Sequence, residues 1–142
     1  MRMPEELQKI LARRRVLEKV CIIDDDNDFN EMVKQFFEKK YPDLQLFQAF
    51  DGFEAGKVIA EERPGFILLD LNLPGVDGHK LCQDLRKNPP PGMNPVIAVV
   101  TGVDKAGEEE RVKEEGADYF FKKPVDFNKL GKIIAELVKE ED

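Results

Sequence analysis

Five short apolar stretches alternate along the chain with longer segments of mixed polarity: Val20 to Ile23, Leu44 to Phe50, Phe66 to Leu69, Val96 to Val100 and Ala117 to Phe121. The intervening segments have helix length, and that alternation reads as repeated βαβ units around a parallel sheet. Phe29, Met32, Val33, Phe36 and Phe37 recur at i, i+3, i+4, i+7 and i+8, which predicts a helix, and Leu130, Ile133, Ile134, Leu137 and Val138 repeat the pattern. Residues 53–62 carry Ala55, Val58 and Ile59 on one face; residues 78–87 carry Leu81, Cys82 and Leu85 behind Asp77 as an N-cap. Lys105 to Glu115 offers only Ala106 and Val112 as apolar contacts, so its helix is expected to be the least anchored and the readiest to shift.

Residues 1–18 fall outside the alternation. Pro4, the acidic pair Glu5 and Glu6, a Leu7/Ile10/Leu11 stripe and Arg13 to Arg15 predict an extra N-terminal helix preceding a domain over 19–142. Such a helix either binds a partner or a second copy, or folds onto its own domain or frays; the latter is favoured. Asn88-Pro89-Pro90-Pro91-Gly92 fits neither helix nor strand interior and reads as a stiff connector.

With 142 residues the chain has the size of one domain, and 42% apolar against 36% charged residues excludes a compositionally disordered protein. Cys21 and Cys82 are too few and too far apart for a disulfide scaffold. Val96 to Val100 is the longest apolar run, far short of the roughly 18 residues of a membrane span. The start of the chain lacks a signal-peptide core, so a cytoplasmic location with free thiols is expected. The net charge of −7 argues against direct nucleic acid binding and leaves metal ions and cationic surfaces as better partners.

In a parallel sheet, ligands sit beyond the carboxyl ends of the strands. There the sequence places Asp24, Asp25 and Asp26 after the first apolar run, Asp70 after the third, Thr101 after the fourth, and Lys122 and Lys123 after the fifth. One such Asp is commonly a polar strand cap, whereas four coincidences on one rim point to a site. Clustered carboxylates repel, and Asp24, Asp25 and Asp70 with Lys123 sum to −2, the charge one divalent ion neutralises. Oxygen ligands without His or Cys suit Mg²⁺ or Mn²⁺ and not Zn²⁺. A hard cation, a Lys and a hydroxyl together suit a phosphoryl group in transfer, with a carboxylate as nucleophile.

Ile22-Ile23-Asp24-Asp25-Asp26, Leu68-Leu69-Asp70-Leu71-Asn72-Leu73-Pro74-Gly75-Val76-Asp77-Gly78, Val99-Val100-Thr101-Gly102 and Phe121-Lys122-Lys123-Pro124, in this order, resemble the receiver domain of two-component response regulators. Phe50-Asp51-Gly52-Phe53-Glu54-Ala55 resembles that family's second-strand exit, and the match runs from about Lys19 to the end. The resemblance implies a flavodoxin-like (βα)5 three-layer α/β sandwich with sheet order 2-1-3-4-5. It implies Asp70 as phospho-acceptor from the phosphohistidine of a sensor histidine kinase or histidine phosphotransfer protein. Asp24, Asp25, Asp70 and the Asn72 carbonyl would hold Mg²⁺ (or Mn²⁺), Asp24 mostly through water. Thr101 and Lys123 would contact the phosphoryl oxygens, the bond from Lys123 to Pro124 being usually cis in the family. Gly102 would keep the approach open. Thr101 and Phe120 would form the switch, and the fourth helix, fifth strand and fifth helix would carry the output.

By that resemblance the chain is a phosphorelay signalling switch acting through protein contacts, not an enzyme beyond its own phosphorylation and dephosphorylation. Action without an effector domain in this chain is expected, as in stand-alone receivers, though one excised from a longer protein would look the same, and phosphorylation-linked homodimerisation is a further expectation. Lys122 stands where the family often has a smaller residue. Val103 has no polar group to orient a hydrolytic water, so a long phosphoryl lifetime is expected. The lone His79 has no evident partner and reads as a helix-surface residue. Two rivals remain: a phosphorylation-independent receiver-like scaffold, and a Mg²⁺-dependent phosphatase of haloacid-dehalogenase type. The phosphatase needs a carboxylic acid two residues after its nucleophile, where this chain has Asn72.

Overall fold

A computed structural model describes Pro4, residues 17–103 and residues 105–139. The apolar runs become five parallel strands, β1 (Lys19–Ile23), β2 (Gln45–Ala49), β3 (Phe66–Asp70), β4 (Val96–Thr101) and β5 (Tyr119–Lys122), in the order β2-β1-β3-β4-β5. Between and after them run α1 (Asn27–Lys40), α2 (Gly52–Glu62), α3 (Gly78–Lys87), α4 (Glu108–Glu114) and α5 (Phe127–Val138). This is the expected flavodoxin-like arrangement.

Alternation along the strands separates two apolar layers. Cys21, Ile23, Ile67, Leu69, Ile97 and Val99 pack with Ala55 and Ile59 of α2, Cys82 and Leu85 of α3 and Val112 of α4. Val20, Ile22, Phe66, Leu68, Ala98 and Val100 face the other way, against Phe29, Val33 and Phe37 of α1 and Leu130 and Ile134 of α5. Each large side chain so buried contributes roughly 1.5–3 kcal/mol of transfer free energy. Register then fixes the rim: Ile23 lies opposite both Ala49 and Leu69, Asp70 opposite Val100, and Thr101 opposite Lys122.

Asp side chains cap four of the helices: Asp26 for α1, Asp51 for α2, Asp77 for α3 and Asp126 for α5. Asp26 therefore belongs to the helix start, not to the acidic site. Met32, read as part of the α1 stripe, lies at its edge and is exposed. The helix expected over 105–115 is shorter, seven residues long, because Gly107 at φ +78° breaks the chain just before it and has no side chain to cap it. Ala106 is exposed, leaving Val112 as the fully buried residue of α4. The Asn88–Gly92 connector is neither helix nor strand.

Both thiols are free and buried. Among the described residues no helix is long and apolar enough to cross a membrane. The helix anticipated over 1–18 lies, apart from Pro4 and residues 17–18, outside the described residues.

Candidate functional site

The exits of β1 and β3 bring Asp24, Asp25 and Asp70 together, with one carboxylate oxygen from each lying within 4.8 Å of the others. Asp24 and Asp70 are buried, while Asp25 is exposed. Lys123, at the end of β5, places Nζ 2.8 Å from Asp24 Oδ2 and 3.6 Å from Asp70 Oδ2. The ammonium also lies 4.3 Å from the centre of the Phe29 ring, which screens one side of it from water. The Lys123–Pro124 peptide is cis.

Hydrogen bonds fix the acids from their own loops. Asp24 Oδ1 accepts from the Asp26 N–H at 2.9 Å, and Asp70 Oδ1 accepts from the Asn72 N–H at 3.0 Å. Burial pushes the Asp24 carboxyl above its ordinary value, with the Lys123 ammonium and the Asp26 N–H opposing and the Asp70 charge adding to the rise. For Lys123 burial acts downward, but the Asp24 hydrogen bond and the charges of Asp70 and Asp24 outweigh it and hold the ammonium above the usual value. Asp24 Oδ2 is fully shielded from solvent and faces the Lys123 ammonium at 2.8 Å. One ammonium against three clustered carboxylates leaves net negative charge, and carboxylate ligands with no His or Cys among them fit a hard divalent cation.

Thr101 completes the rim, but its hydroxyl turns onto its own loop. It donates to the Val103 carbonyl at 3.2 Å and accepts from the Val103 N–H at 3.1 Å, with Asn72 Nδ2 3.5 Å away. Gly102 is exposed, and among the described residues a Cβ there would meet only the Lys123 side chain, at 3.9 Å. Close approach matters more at Gly78, where a Cβ would lie 2.5 Å from the Leu71 carbonyl oxygen; glycine lets α3 start directly against the Asp70 loop. Phe120 is buried at the start of α4, where it lines a cavity of about 170 Å³ with Lys105, Gly107, Glu108 and Lys122.

Two residues have larger roles than the sequence alone indicated. His79 is not a lone surface residue: its Nδ1 meets Glu115 at 2.5 Å and its Nε2 meets Glu108 at 3.1 Å, tying α3 to both ends of α4. Asn30 is completely buried in α1 and hydrogen-bonds to the ends of β1 and β2. Its spacing to Val33 and Phe37 already places it on the inward face, and an Asn there is the readable signal.

Residues 20–135 match the response regulator receiver domain family. Sporulation initiation phosphotransferase F of Bacillus subtilis is 30% identical over 113 residues, covering 80% of this chain and 87% of that protein. The DNA-binding dual master transcriptional regulator RpaA of Synechocystis is 31% identical over 124 residues, 87% of this chain; the chain spans about half (50%) of that relative. Among solved structures, the signal receiver domain of a DNA-binding response regulator from Colwellia psychrerythraea 34H superposes with a TM-score of 0.81 at 31% identity, covering 85% of this chain and 98% of that one. The CheY-like receiver domain protein of Methanospirillum hungatei gives 0.73 at 28%, covering 84% and 92%.

Proposed function

The chain belongs to the response regulator receiver domain family, and from that premise we propose that Asp70 accepts a phosphoryl group from a phosphohistidine of a histidine kinase or phosphotransfer protein. A carboxylate oxygen of Asp70 attacks phosphorus in line, the P–N bond breaks, and the imidazole leaves with its electron pair and takes up a proton. The observation that carries this reading is Lys123 Nζ lying between buried Asp24 and Asp70, with Asp25 beside them. That array neutralises a nucleophile and could neutralise the oxygens arriving on it.

Asp24, Asp25, Asp70 and the Asn72 carbonyl would hold Mg²⁺ or Mn²⁺, whose charge supplies the neutralisation Lys123 leaves incomplete. Lys123 would pair with one phosphoryl oxygen. Thr101 would leave Val103 to donate its hydroxyl to another, and Phe120 would follow into the vacated space. Output would pass by protein contact through α4, β5 and α5 in the cytoplasm, with phosphorylation-linked homodimerisation as one form of it. The reading makes this a switch and not a turnover phosphatase, because Asn72 cannot supply the acid proton a phosphatase needs. Exposed Val103 leaves a hydrolytic water unoriented, favouring a long-lived phosphoryl group.

Intact mass after incubation with acetyl phosphate tests this. One phosphoryl adduct requiring both Mg²⁺ and Asp70 is expected; no adduct on the wild type, or an equal adduct on Asp70→Ala, would overturn it.

A further inference from the structure

Asn30 is an unusual choice for the inner face of a helix. Asn is a weak helix former, and burying its carboxamide is costly unless its donors and acceptor are all used. Here they are used on the strand exits that form the site. Nδ2 lies 3.0 Å from the Asp24 carbonyl, 3.2 Å from the Ala49 carbonyl and 3.4 Å from the Ile22 carbonyl, so its two hydrogens serve three acceptors at the ends of β1 and β2. Oδ1 accepts from Gln48 Nε2 at 3.0 Å, which fixes the orientation of the amide. The Ala49 carbonyl also accepts the Asp24 N–H at 3.0 Å. One side chain thus joins α1, β1 and β2 at the peptide of Asp24, whose shielded Oδ2 faces the Lys123 ammonium at 2.8 Å.

We propose that Asn30 is a positioning residue for cation binding: its carboxamide fixes the backbone of Asp24 and so aims that carboxylate at the divalent ion. The inference rests on the receiver reading above. Groups that orient metal ligands from behind commonly govern affinity even though they never touch the ion. The unpaired alternative is poor, because an apolar side chain in this place would leave the carbonyls of Asp24 and Ile22 without their Nδ2 donor and free the loop to turn.

The test is a Mg²⁺ titration by calorimetry on the full chain, paired with thermal unfolding in Mg²⁺ and in EDTA. For Asn30→Leu, which keeps the branching and the number of heavy atoms and removes the polar ends, Mg²⁺ affinity is expected to fall about 10-fold or more, within the range for groups behind metal ligands. The rise in Tm on adding Mg²⁺ should shrink as well. A purely structural role would lower Tm equally in both buffers and leave the increment intact, and an affinity within about twofold of wild type would overturn the proposal while leaving the receiver reading standing. Should Asn30→Leu not fold, Gln48→Leu removes the donor that orients the amide from a half-buried position; weakened Mg²⁺ binding supports the proposal and unchanged binding overturns it. A wild-type chain that binds no Mg²⁺ would instead overturn the receiver reading and this role with it.

Discussion

α1 and α4 flank the same rim but are held in opposite ways. α1 has fourteen residues, an Asp cap, and Phe29, Asn30, Val33 and Phe37 buried against the sheet. α4 has seven residues, no side-chain cap, and Val112 buried. A helix that short has little stability of its own, so its position depends on what touches it. Besides Val112, polar ties from α3 reach it: His79 contacts Glu108 and Glu115, Gln83 Nε2 donates to Glu115, and Arg86 donates to the Gly116 carbonyl at 2.9 Å just beyond the helix. Both ring nitrogens of His79 can donate at once only when both carry hydrogen. The ion pairs within α4, Lys113 with Glu109 at 2.9 Å and Arg111 with Glu115 at 3.6 Å, are partly exposed and add little. Apolar burial fixes a helix in place, whereas a few directional ties let it be released by a small change at its neighbours. The proposed chemistry therefore falls beside the fixed helix and the expected output on the releasable one.

Substitutions sharpen this contrast in order of size. Phe37→Ala empties the α1 interface and should cost about 3–5 kcal/mol of global stability, read by denaturant unfolding. Val112→Ala should cost about 2 kcal/mol, concentrated in α4, so that its amides exchange faster by a larger factor than those of α1. His79→Ala removes both ties to α4 and should cost about 1–2 kcal/mol, again seen in α4 exchange before global unfolding; equal acceleration in α1 and α4 would break the comparison. Apart from substitutions, pH reaches the core through the thiols, both of which lie in the apolar layer that packs against α2, α3 and α4. Burial raises Cys21 from 9.0 to about 12, and burial with the Glu115 charge raises Cys82 from 9.0 to about 11. Above pH 9.0 the unfolded chain loses protons that the folded chain keeps, so stability should fall as pH rises toward 11 by up to about 1.4 kcal/mol per unit per thiol. At neutral pH both should resist thiol reagents in the native state.

Most of the architecture was legible because burial writes it in period: runs of apolar residues for strands, i, i+3, i+4 spacing for α1 and α5. The rim acids were legible because each follows a buried strand directly. Less legible was anything set by tertiary contact between distant segments. Gly107 shortened α4 through a local backbone turn that apolar spacing does not report. His79 gained partners 29 and 36 residues away, which no local pattern encodes. Asn30 was visible in principle as a polar residue at an inward position, but only the fold shows that its carboxamide ends on the Asp24 peptide.

The proposed phosphoryl site is expected to couple to the loosely held helix and to spare the anchored one. Amide hydrogen exchange of α1 and α4, measured in Mg²⁺ with and without acetyl phosphate, tests it most directly. Faster exchange in α4 than in α1 at rest, and a change on phosphorylation confined to α4 and its neighbours, is the predicted result; α4 as protected as α1, or a response in α1 with α4 unaltered, would contradict it.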